Sequence, residues 1–110
     1  MITEQEVDRA LQYLRDQAEA DAQARANRLY MEHWIKTVLA QEMAKSSATS
    51  IAASEVGARI SGPYVDALGA YKEAIADDEK RRFLRAAAEA RIDAWRTQES
   101  SRRAEGKAYS

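Results

Sequence analysis

Apolar side chains recur through the first forty residues at Val7, Leu11, Leu14, Ala18, Ala22, Leu29, Ile35, Val38, Leu39 and Met43. Steps of three, four and seven return a side chain to one side of an α-helix, so this spacing predicts an amphipathic helix. No glycine or proline precedes Gly57, and nothing in the pattern interrupts the helix before about Lys45. Its start is marked by Thr3-Glu4-Gln5-Glu6, a capping box in which Thr3 accepts a backbone N–H and Glu6 reaches back to the Thr3 N–H. Alanines alternate from Ala18 to Ala26. Without β-branched neighbours they read as helix, with small side chains that let another backbone approach closely.

The pattern breaks at Lys45-Ser46-Ser47-Ala48-Thr49-Ser50, where hydroxyl side chains compete with helical hydrogen bonds. Ser50 can cap a short helix from Ile51 to about Ile60, and Ser61-Gly62-Pro63 ends it and sets Pro63 at the start of the next. From there Tyr64, Leu68, Tyr71, Ile75, Leu84, Ala88, Ile92 and Trp95 describe a third apolar face. The charged run Asp77–Arg82 interrupts it. After Trp95 the chain becomes Ser/Arg-rich, and with Glu105-Gly106-Lys107 following, Arg103–Ser110 reads as a mobile tail.

These elements predict an all-α chain, a single helical domain over residues 1–110, built as an antiparallel hairpin of two long helices with a short connecting helix. The hairpin sets side by side residues whose numbers sum to roughly 107. Arg25 and Arg28 then face Asp77–Glu79, Arg85 and Arg91 face Asp16, Glu19 and Asp21, and Trp95 falls near Leu11 and Leu14. A continuous 40-residue helix is about 60 Å long, whereas a compact globule of this size has a radius of gyration of ~13 Å. The alternative is therefore a compact four-helix bundle in which the long helices break, and the open hairpin implies surface that a homodimer would cover.

Composition sharpens the chemistry. The 110 residues contain no cysteine and one histidine, which removes disulfides, thiolate metal sites and thiol catalysis. No apolar run is long enough for a membrane span, and the expectation is a soluble, cytoplasmic protein with no cofactor and no bound metal. No nucleophile elbow or glycine-rich phosphate loop occurs. His33 has no imidazole or thiolate partner in sequence and reads as a helix-surface residue, and Asp77-Asp78-Glu79 reads as a salt-bridged face. The expectation is a binding protein and not an enzyme.

Net charge is −1, but it is unevenly spread. Residues 1–79 hold eight basic and fourteen acidic side chains, and residues 80–110 hold nine and four. Arg81, Arg82, Phe83, Arg85, Arg96, Arg102, Arg103 and Lys107 form the candidate nucleic-acid-binding set, the arginines for phosphates and Phe83 for stacking on single-stranded bases. The same arginines can pair internally with the acidic first helix, and on charge geometry alone that reading weighs more. The runner-up function makes the acidic helix a nucleic-acid mimic that occupies a basic groove on a protein, and a third makes the chain a structural dimerisation module.

The strings TEQEVDRALQYLRDQA, AQARANRLYMEHW and FLRAAAEARIDAWRTQESSRRAEGKAY resemble a group of small helical accessory proteins of tailed phages and prophages. That resemblance covers most of the chain apart from residues 46–60. It implies a role in replication, recombination or counter-defence of the anti-CRISPR kind, inside a bacterial host cell. The implied partner is single-stranded nucleic acid or a host nucleoprotein complex.

Overall fold

The computed structural model describes residues 1–109, and among them there are three helices and no strand: α1 Glu4–Ala44, α2 Ile51–Arg59 and α3 Gly62–Tyr109. The two long helices are unbroken at 41 and 48 residues, so the four-helix alternative does not occur. The start of α1 is the predicted capping box: Glu6 N donates to Thr3 Oγ1 and Thr3 N donates to Glu6 Oε2, both at 3.1 Å. Ser50 caps α2, its hydroxyl accepting from Ala53 N at 3.1 Å. Ser61 opens α3 in the same way, its Oγ accepting from Tyr64 N at 3.4 Å. The helix expected to fray after Arg103 continues to Tyr109, with exposed side chains through Ala108, and Ser110 lies outside the described residues. No described helix is long and apolar enough to cross a membrane.

The chain divides into two compact units, a terminal one (Met1–Asp21 with Lys80–Ser110) and a central one (Ala22–Glu79). In the terminal unit α1 and α3 run antiparallel around Val7, Ala10, Ala88 and Ile92, with Ile2, Tyr13, Leu14 and Trp95 packed against them. Gln98 fastens the start of the chain, accepting from Ile2 N at 3.1 Å and donating to Ile2 O at 2.9 Å. In the central unit Val38, Tyr64 and Ala67 form the core with Trp34, Ile35 and Leu39 around it. Tyr30 stacks on Trp34 with ring centroids 6.3 Å apart. Ser54, buried on α2, donates from Oγ to Met43 O at 3.1 Å and so ties the short helix to the end of α1.

Burial follows a 3-4 alternation that differs from the apolar line read in the sequence. On α1 the line of covered or half-covered positions runs Val7, Ala10, Leu14, Gln17, Asp21, Ala24, Arg28, Met31, Ile35, Val38 and Glu42, and on α3 Tyr64, Ala67, Tyr71, Ala74, Asp78, Arg81, Arg85, Ala88, Ile92 and Trp95, with further half-covered residues such as Tyr13, Trp34, Leu39 and Ile75 beside it. This is the heptad spacing of a two-helix seam. Leu11, Leu29, Leu68 and Leu84, expected on the packing faces, lie outside it at 36–45% exposure. The reason is that the middle of each seam is charged, so a line drawn through apolar residues alone drifts to the flanks. The buried apolar residues are mostly alanines, and each contributes little area.

The predicted register holds for Arg28 with Glu79 and nearly for Asp21 with Arg85. Ile2, however, meets Gln98, about seven positions before the residue that register would place beside it. Side chains lean toward the N-terminus of their own helix. In an antiparallel pair, long side chains therefore meet at higher summed numbers than backbone levels do, and a register drawn from charge pairs runs high.

Candidate nucleic-acid interface

The basic face expected on α3 is two different things. Arg81 and Arg85 occupy seam positions and are half-buried against Asp21 of α1, which is itself only 8% exposed. Arg85 Nη1 donates to Asp21 Oδ2 at 3.3 Å, Arg81 Nη1 stands 3.6 Å from Asp21 Oδ1, and the same Arg81 nitrogen donates to Gln17 Oε1 at 3.3 Å. These two arginines neutralise a carboxylate that burial would otherwise penalise. Half-buried and engaged with Asp21, they are less open to an outside anion than the exposed members of the expected set. The same pairing removes Asp21 from the acidic face of the mimic reading.

The rest of the set is exposed. Arg96 pairs with Asp93 at 3.6 Å and Arg102 with Glu99 at 2.9 Å, both within one turn of α3. Pairs this open to solvent hold their partners weakly. Arg82 and Lys107 are exposed and each already engages a neighbour; Arg103 is exposed. At about 100° per residue, Arg96, Arg103 and Lys107 lie within about 40° of one another and Arg82 within about 60°. Arg102 points roughly 120° away. Glu89 lies on this line, Asp93, the partner of Arg96, and Glu99 flank it, and Ser100 borders it.

Phe83 is 73% exposed, as the stacking reading requires. It lies on α3 about 100° from Arg82 and about 140° from Arg96, however, so it faces away from the basic line. Trp95 belongs to the terminal core.

The clefts are shallow. In the terminal unit a groove of about 350 Å³ is lined by Ala10, Tyr13, Leu84, Ala87 and Ala88 with Arg9 and Arg91 at its rim. A second hollow of about 310 Å³ lies beside Trp95 and the first residues of the chain. Among the described residues no three of His, Cys, Asp and Glu gather as metal ligands, and His33 is exposed beside an exposed Glu32. In the central unit Arg28 takes the role that Arg81 and Arg85 take in the terminal one. Its Nε stands 3.1 Å from Asp78 Oδ2 and its Nη1 donates to Glu79 Oε1 at 3.4 Å. Also there, Arg59 donates twice to Glu55 and once to Tyr64 Oη. The Glu55 hydrogen bonds raise its guanidinium pKa above the ordinary arginine value.

Sequence reasoning paired these charges across the hairpin but did not place them at buried seam positions. The signal was present: Asp21, Arg28, Asp78, Arg81 and Arg85 fall on the 3-4 alternation that the core residues on either side define. No protein-family model matches the chain, and neither does any curated protein or any solved structure.

Proposed function

We propose that the chain is a non-enzymatic binding protein that holds the phosphates of a single-stranded nucleic acid along the outer edge of α3. Arg96 and Arg103 are the central contacts, and Arg82 and Lys107 extend the line. The observation that carries this reading is that Arg96 and Arg103 are both exposed on one edge of α3, after Asp21 has drawn Arg81 and Arg85 inward. Arg96 and Arg103 are separated by about 10.5 Å of helix and Arg103 and Lys107 by about 6 Å. A straight row at such intervals suits an extended strand, whose phosphates run alongside it, better than a duplex, whose backbone curves away. An accessory role in a phage-infected cell rests on the sequence resemblance.

The test is fluorescence anisotropy of a labelled single-stranded oligonucleotide, with a duplex control, across a series of salt concentrations. Three to four phosphate contacts give log K a slope of about −2 to −3 against log salt on a single strand. Arg96→Glu with Arg103→Glu abolishes binding and leaves the helical circular dichroism unchanged. No binding at the lowest salt, or equal binding by the double variant, refutes the proposal.

A further inference from the structure

The outward face of α3 in the terminal unit carries a second stripe that nothing in the unit covers. Lys80, Phe83, Ala87, Ala90 and Ala94 are all exposed and repeat at steps of three and four, the spacing of a helix–helix seam. Phe83, at 73% exposure, is the one large apolar side chain on the stripe. Ala87 belongs both to the stripe and to the apolar groove with Ala10, Tyr13, Leu84 and Ala88, so the apolar surface runs without interruption from Phe83 into the groove.

From this geometry we infer that the stripe is the docking face for a second copy of the chain, the two α3 helices crossing antiparallel about a two-fold axis at Ala87. A two-fold interface presents the same patch on both copies, and this patch is complementary to itself. With Ala87 opposite Ala87, Phe83 of one copy falls beside Ala90 and Arg91 of the other, at the groove's rim, where the ring fills apolar space and meets the Arg91 guanidinium over its face. Lys80 falls beside Ala94 and the exposed Asp93, placing unlike charges together. A parallel arrangement would oppose Lys80 to Lys80 and Asp93 to Asp93. The alanines at the crossing let the two backbones approach closely.

Arg96 and Arg103 lie on another side of α3 from the stripe, and Asp93, which pairs with Arg96, borders both.

Light scattering of the full chain over a range of concentrations tests the inference. The expected mass approaches twice 12.3 kDa at high concentration, and Phe83→Ala weakens association at least tenfold while helicity is retained. Ala90→Glu, at a second exposed position, has the same effect. Lys80→Asp weakens the dimer, and Lys80→Asp combined with Asp93→Lys restores it, because across a two-fold axis the exchange rebuilds both pairs. A wild-type chain that stays at 12.3 kDa, a Phe83→Ala dimer as tight as wild type, or a charge exchange that fails to restore association overturns it.

Discussion

The two units solve one problem with opposite signs. In the terminal unit the buried acid comes from α1, as Asp21, and the bases from α3, as Arg81 and Arg85. In the central unit the base comes from α1, as Arg28, and the acids from α3, as Asp78 and Glu79. Each long helix therefore carries both signs in its packing seam, and each sign is matched only by the antiparallel partner within its unit. A slip of either helix by one turn would place buried charge against alanine. The difference teaches that formal charge on a helix says little about its surface until the seam is known. Charged seams add little net stability, because desolvation opposes the Coulomb gain, but losing one partner is costly.

The central pair gives the largest single-site effect. Asp78 is 3% exposed and Arg28 Nε lies 3.1 Å from it. Asp78→Ala lowers the stability measured by urea unfolding by about 3 kcal/mol, the low end of the range for a buried pair because Arg28 is partly solvated. Asp77→Ala, at the exposed neighbour, changes it by less than about 0.5 kcal/mol. Equal effects at the two positions would remove the distinction between seam and surface.

Smaller effects separate the units by their ends. Ser50→Ala removes the cap of α2 in the central unit and costs about 1 kcal/mol, read by the same unfolding experiment; an unchanged midpoint would mean that α2 is held by Ser54 and Ala58 alone. Gly69→Ala acts the other way. A Cβ at Gly69 meets nothing within 4 Å, and the position is an exposed helix interior, so the substitution raises stability by about 0.5 to 1 kcal/mol. A loss of stability would show that the backbone of α3 is strained there.

Much of the fold was legible. Glycine and proline punctuation, the Thr3/Glu6 box, the Ser50 cap and apolar periodicity gave three helices, with starts and inner ends within a residue or two of those observed. Pairing of Arg28 with Asp78 and Glu79 was readable from charge agreement once a hairpin was assumed. The candidate site was only half legible. Arg81 and Arg85 look like Arg96 and Arg103 in a list of basic residues, and only the 3-4 positions fixed by Ala88, Ile92 and Trp95 on one side and Tyr71 and Ala74 on the other place them inside. Apolar periodicity could not reveal this, because it averages over the stretch where the seam turns polar. Phe83 was legible as exposed, but its angle to the basic line follows from helix geometry and separates it from the arginines it was grouped with.

The division of the α3 arginines is tested most directly by a double-mutant cycle in urea unfolding, with Asp21→Ala on one arm and Arg81→Ala with Arg85→Ala on the other. If Asp21 holds those two arginines in the seam, the combined variant loses less stability than the arms added together, with a coupling of about 1 to 2 kcal/mol. Arms that simply add, with no coupling, would put Arg81 and Arg85 back on the surface with Arg96 and contradict the division.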